Sequence, residues 1–213
     1  MATWITHMRI AEYFMKLDER LDSIEFLVGN IGPDCGKPNE DWSKFTPDGS
    51  ITHWKSDGKN IDAEDFRQKF VHLGEAGYDF YLGYYFHLLT DILFHQNIYQ
   101  QKIKEPLYYE GLDKDPNFIW TIKKDWYGQD FIFLLSNPDS VFFKRFQHIK
   151  DFENTYFDFY PDDAFIRQIE YITDAYLTTD VDTKREFPYL SKTEMDTFVD
   201  ATIEFLEEVY RNM

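Results

Sequence analysis

His87, Asp91 and His95 recur at every fourth residue within the run Tyr84–His95, a spacing that turns all three toward one side of a helix. Phe86, Leu88, Leu89, Ile92, Leu93 and Phe94 surround them, so the helix is expected to be buried nearly all round. Ionisable groups inside an apolar helix are costly unless compensated, and a bound cation is the simplest compensation. Imidazole and carboxylate four residues apart also reach one point in space, which is how helical proteins hold zinc. His7, Asp34 and His53 lie upstream in contexts that can supply further ligands. Each has a plainer reading. His87 and Asp91 can simply bond to each other in a core. His7 can cap a helix start, Asp34 can serve the Gly/Pro-rich turn that holds it, and His53 can pack on Trp54.

The elements that would position these residues are helical. Ile10, Phe14, Leu17, Leu21 and Ile24 follow helical spacing, predicting one amphipathic stretch from Ile10 to Leu27. The segment Gly29–Gly36 then forces a turn. Residues 37–61 are polar and proline-containing and read as a long irregular loop. A loop of that length in a compact domain is usually functional or disordered, and His53 within it favours function. Helices are expected from about Asp62 to Leu73 and from Tyr78 to Ile103, with Pro106 stopping the second. Pro116 and Asn137-Pro138 are expected to start later helices, Asn137 as a cap. Ser191 and Glu194 form a capping box, followed by the apolar stripe Met195, Phe198, Val199, Leu206, Val209 and Tyr210. The sum is an all-α fold, a single domain over residues 1–213 with about six to eight helices.

The bulk composition narrows the function. Aromatic residues make up 19% of the chain, with 21 Phe and 15 Tyr, favouring a core of large flat side chains and an aromatic-lined pocket. A formal charge of −17 repels phosphate backbones and anionic lipid, and no run of Lys and Arg with interleaved aromatics appears, so nucleic acid is not the expected partner. An anionic substrate would need local positive charge, which metal ions provide. The single cysteine, Cys35, fits a reducing compartment and reads as a small buried thiol. No transmembrane stretch and no basic-then-apolar leader is seen, so a cytoplasmic location is expected. His72 is assigned to helix packing, and Tyr84 either packs in the core or lines a pocket.

Four pieces occur in order: Thr6-His7-Met-Arg-Ile-Ala-Glu12, Gly29-Asn-Ile-Gly-Pro-Asp34, Thr52-His53-Trp and Gly83-Tyr-Tyr-Phe-His87-Leu-Leu-Thr-Asp91. Together they resemble the bacterial zinc-dependent phospholipase C family, whose helical fold is shared with fungal zinc-dependent single-strand nucleases. The resemblance spans roughly the first 95 residues. It implies a metallo-phosphodiesterase holding up to three zinc ions, with one or two expected here. By position, Asp34, His53, His87 and Asp91 would hold the first zinc. Asp91 would bridge to a second, which His7 also binds, and Asp34 would be the catalytic base acting on water. Secreted members use a mature N-terminal Trp as a ligand; here Trp4 is the nearest tryptophan, and removal of Met1 would free the nitrogen of Ala2. For the remaining zinc His95 is the nearest candidate, although it stands closer to Asp91 than the family pattern has it, and His148, Asp151, Glu153, Asp125 and Asp130 are the later candidates. The expected function is hydrolysis of a small-molecule or lipid phosphodiester by metal-activated water. The alternatives are a non-catalytic, structural metal-binding helical protein and a nuclease. A helical phosphohydrolase built on an adjacent His-Asp pair is disfavoured, since the chain has no such dipeptide.

Overall fold

The computed structural model describes residues 1–21 and 23–213 and is all-α. In chain order the helices are α1 (Trp4–Leu17), α2 (Ile24–Gly29), α3 (Gly49–Thr52), α4 (Ala63–Phe70), α5 (Tyr78–Phe94), α6 (Gln100–Lys102), α7 (Pro106–Lys114), α8 (Ile119–Ser136), α9 (Val141–Lys144), α10 (Ala164–Thr178) and α11 (Lys192–Arg211). Seven of these have eight or more residues among the described residues. The only sheet there is a two-stranded antiparallel hairpin, β1 (Lys37–Pro38) and β2 (Phe45–Thr46), in the register Lys37 to Thr46 and Pro38 to Phe45.

α5 is the central element, with Phe80, Leu82, Tyr84, Phe86, Leu88 and Phe94 fully buried along it. It can be central because α2 crosses it at two glycines. A Cβ on Gly83 would lie 2.3 Å from the Phe26 carbonyl oxygen, and one on Gly29 would lie 2.1 Å from that of Phe80. No side chain fits at either place, so the two backbones meet directly. α1 and α11 cover another flank of α5, and Phe14 of α1 packs edge-on against Phe86 at 4.8 Å. No helix among the described residues is long and apolar enough to cross a membrane.

Several boundaries differ from expectation. The stretch from Ile10 to Leu27 is two helices, because a 3-10 turn at Glu19–Leu21 separates α1 from α2. Residues 37–61 are less irregular than predicted, since they contain the hairpin and α3. α4 starts as expected, with the Asp62 side chain accepting from the Asp65 amide, but ends at Phe70. α5 gives way at His95–Tyr99 to a π-helical turn before the short α6. Pro106 both ends that run and occupies the first turn of α7. Pro116 opens a 3-10 turn leading into α8. Asn137 closes α8 instead of opening a helix, and α9 begins only after Ser140. The capping box at Ser191 and Glu194 is formed.

Candidate metal centre

His7, Asp34, His53, His87 and Asp91 come from four separate segments and converge on one buried spot. α5 presents His87 and Asp91 at i and i+4. The close crossing of α2 over α5 places the Asn30 carbonyl 2.8 Å from His87 Nδ1. That carbonyl can only accept, so Nδ1 carries its proton and Nε2 is turned toward Asp91. Just beyond α2 a 3-10 turn, Gly32–Asp34, delivers Asp34. The hydroxyl of Tyr160 donates to the carbonyls of Gly32 at 2.8 Å and Pro33 at 3.3 Å and pins the turn. His53 ends α3, which Tyr84 holds by donating its hydroxyl to the Thr52 carbonyl. Trp54 follows in the left-handed region at φ 52°, a conformation costing roughly 1–2 kcal/mol for a residue with a Cβ. It is held there by an indole N–H donated to Asp65 at 2.6 Å and by ring contacts with Phe66 and Phe70. α1 supplies His7, whose ring stacks on that of His87 with centroids 3.7 Å apart and planes 5° from parallel.

The distances within this group separate two chemistries. His53 Nε2 stands 3.4 Å from Asp34 Oδ1 and 3.5 Å from Asp91 Oδ2. His87 Nε2 stands 3.6 Å from Asp91 Oδ2, and His7 Nε2 3.5 Å from Asp91 Oδ1. Hydrogen bonds between nitrogen and oxygen run about 2.7–3.2 Å. Two ligands of a tetrahedral zinc, each about 2.0–2.1 Å from the ion, stand roughly 3.4 Å apart. The observed spacings match the second geometry. The same atoms are short of partners: both ring nitrogens of His7, Nε2 of His53 and of His87, and Oδ2 of Asp91 are buried without a hydrogen bond. Two sets could each hold an ion, His7 with His87 and Asp91, and Asp34 with His53 and His87. Asp91 also accepts the backbone N–H of Ala2 at 2.7 Å, so the nitrogen of residue 2 does reach the centre.

Electrostatics follow from burial and from the two carboxylates. Burial, and then His87 beside it, lower the pKa of His7 to about 4. Burial pulls His87 the same way, but the charge of Asp91 overcomes it and raises the pKa. Burial alone would favour neutral Asp34 and Asp91. At Asp34 the imidazoles of His53 and His87 outweigh it, and at Asp91 the positive amino terminus and then His87 do, so both stay below the usual carboxylate range. Both carboxylates are therefore anions at neutral pH.

Other candidates lie elsewhere. His95 is not part of the centre: it is exposed on the π-helical turn, stacked on Tyr99 at 5.5 Å and near Gln100. Eight residues separate it from His87, about 12 Å along a helix, and the drift of the 3.6-residue period turns it off the shared face. Asp125 is buried but accepts from Arg185 at 2.6 Å and from the Tyr189 amide at 2.7 Å. Asp130 accepts from Thr3 at 2.6 Å and from the Tyr176 hydroxyl. His148, Asp151 and Glu153 are exposed. His72 is exposed just beyond α4, its Nε2 3.3 Å from the Lys69 carbonyl of that helix. Tyr84 packs in the core, stacked on Phe66 at 4.8 Å. Cys35 is fully buried, with its thiol donating to the Ile31 carbonyl and its pKa pushed up by burial.

Asp34 and His53 form part of the wall of a cavity of about 1140 Å³. An aromatic-lined pocket was expected from composition, but the basic character of that wall was not. Lys37, Lys55, Lys123, Lys124, Arg167 and Arg185 line it against four acidic residues, as do four of the chain's five tryptophans. A chain of charge −17 thus has a locally cationic, aromatic cleft. Comparison with known proteins returned no family model, no curated protein and no solved structure matching this chain.

Proposed function

We propose that the chain is a zinc-dependent phosphoesterase of the phospholipase C-like kind, cleaving a phosphodiester in the cationic cleft. The observation that carries this reading is the set of imidazole and carboxylate atoms standing 3.4–3.6 Å apart, most of the imidazole nitrogens and Asp91 Oδ2 among them without a partner, beside a cavity that Asp34 and His53 line. The donor set, three imidazoles and two carboxylates, suits zinc. The convergence of all four motif pieces that resemble the phospholipase C family adds support.

Asp34, His53, His87 and Asp91 would hold one ion, and His7 with Asp91 would hold a second. When bound, such an ion supplies a water with its pKa brought toward neutrality and positive charge opposite the phosphate oxygens. The chain's own residues do the rest. Asp34, anionic and facing the cavity, orients the attacking water and takes its proton. Asn30 fixes the tautomer and direction of His87, and the Thr52 hydroxyl, 3.1 Å from His53 Nδ1, holds the direction of the His53 ring. The aromatic walls limit water and give the non-reacting part of the substrate a surface to bind.

The test is zinc content by plasma mass spectrometry on wild type and His87→Ala, alongside hydrolysis of bis(p-nitrophenyl) phosphate. The expected result is one or two zinc ions per wild-type chain, lost in the variant together with at least a thousandfold of any activity. A folded wild type that takes up no zinc on reconstitution sinks the reading. Zinc uptake without cleavage of any phosphodiester leaves a structural metal-binding protein.

One observation favours a second reading, a nuclease acting on single strands. Basic side chains interleaved with tryptophans are how proteins track a phosphate backbone while stacking its bases, and here the fold assembles that combination from distant segments. Tight, steeply salt-dependent binding of a single-stranded oligonucleotide would select it.

A further inference from the structure

We propose that Lys123 is the anion anchor of this cleft, the side chain that holds a phosphate oxygen of the ligand beside the His–Asp centre. The inference rests on the phosphoester reading and identifies the residue that recognises the phosphate.

The six basic residues of the wall are not equivalent. Arg185 is bound to Asp125 at 2.6 Å, and Arg167 to Asp163 at 3.0 Å. Lys37 and Lys124 are exposed, and exposed ammonium groups are well hydrated and bind anions weakly. Lys55 is half-buried and, among the described residues, likewise outside any ion pair, but it sits on the turn after α3 and not on a long helix. Three features together set Lys123 apart. It is half-buried, and among the described residues no carboxylate lies within ion-pair distance of its Nζ. Its ammonium sits 4.9 Å above the Trp120 ring, which steers it without neutralising it. Burial lowers its pKa, while the charges of Asp34 and Asp91 act in the opposite direction, so Nζ lies within the field of the centre's own carboxylates.

The helix that carries Lys123 is fixed at two points. Asp125 clamps α8 to Arg185 and Tyr189, and Asp130 clamps it to Thr3 and Tyr176. Lys123 and Tyr127 then present one stripe, i and i+4, to the cavity. An anchor on a rigid helix needs little reorganisation when it binds.

Charge bookkeeping links the anchor to the metal. Without an ion, Lys123 partly balances Asp34 and Asp91 from across the cleft. Once those carboxylates are neutralised by a divalent cation, the ammonium is left uncompensated in a half-buried place, and an anion between the two becomes favourable. Phosphate affinity should therefore depend on both zinc and Lys123.

Isothermal titration of inorganic phosphate into zinc-loaded wild type, Lys123→Met and Lys123→Arg tests this, with zinc content and thermal midpoint recorded for each. The expected result is equal zinc content, phosphate affinity at least tenfold weaker in Lys123→Met, and affinity within about threefold of wild type in Lys123→Arg. For a phosphodiester substrate, KM should rise in parallel with a smaller change in kcat. Phosphate binding unchanged in Lys123→Met overturns the proposal, as does a wild type that binds no phosphate when loaded with zinc. Altered zinc uptake in Lys123→Met with unchanged phosphate binding also overturns it, making Lys123 a mere counter-ion. The readout does not depend on turnover. Zinc-dependent phosphate binding lost in Lys123→Met, without hydrolysis by any variant, would uphold the anchor while the hydrolase reading fails.

Discussion

Two pairs of buried carboxylates sit in this molecule and are treated in opposite ways. Asp125 and Asp130, on α8, have their oxygens taken up by Arg185, the Tyr189 amide, Thr3 and Tyr176. Asp34 and Asp91 face imidazoles at distances too long to bond, and several of those atoms have no partner. Burial is common to both pairs, so burial does not mark a site. Satisfaction does: buried polar groups are normally paired, and a whole group left unpaired in matching geometry points to something that completes it. The first pair is scaffolding, and the second belongs to a group that could hold an ion.

The sharpest way to break this contrast is to remove one carboxylate from each pair. Asp125→Ala strands Arg185 and should cost about 3–5 kcal/mol of stability while leaving zinc stoichiometry intact. Asp91→Ala should abolish zinc uptake. At a hundredfold excess over its dissociation constant, zinc should stabilise wild type and Asp125→Ala alike by about 2.7 kcal/mol, a rise of roughly 5–10 °C in thermal midpoint for a chain of this size. Differential scanning fluorimetry with and without zinc would show whether Asp91→Ala alone loses that rise.

Asp130 sharpens the contrast through pH. Burial raises its pKa from 3.8 to about 7, against the pull of Thr3, Tyr176 and Arg9. The folded chain therefore retains a proton that the unfolded chain releases near pH 4, and stability should decline as pH rises between about 4 and 7. The full effect is at most about 4 kcal/mol. Urea midpoints across that window should flatten in Asp130→Asn, with zinc binding unaltered.

A smaller effect is expected from Gly83→Ala. The added methyl group must push α2 off α5, costing about 1–3 kcal/mol. It would also move the Asn30 carbonyl from His87, and such supporting contacts are worth roughly 10–100-fold in metal affinity. Competition with a chromogenic chelator would measure it. Smallest of all, His95→Ala should leave zinc content and stability within error, because the side chain is exposed and distant from the centre.

The part of the site that lies within one element was readable in the sequence. His87 and Asp91 share a helix, and their four-residue spacing fixes a common direction whatever surrounds them. The same rule, extended to His95, failed because two four-residue steps rise about 12 Å and drift off the shared face. Asp34 and His53 could be named as able to supply ligands, but only the resemblance gave them a place, since turns such as Gly32–Asp34 have no periodicity from which a side-chain direction could be drawn. The break between α1 and α2 was hidden by apolar spacing that continues through it. The cationic cleft was invisible for a different reason: Lys37, Lys123, Arg167 and Arg185 are scattered over more than two-thirds of the chain, and only tertiary packing makes them neighbours.

The parallel stack of His7 on His87 sets how the centre exchanges protons with solvent. Two imidazolium rings 3.7 Å apart would repel strongly, so the pair titrates as a unit and accepts one proton far more readily than two. That proton resides on His87, while His7 stays neutral down to a pH of about 4. Loading an ion onto the stack where His87 is protonated thus expels one proton instead of two. The stacked rings act as a valve that makes the centre less sensitive to acid than its number of histidines would suggest.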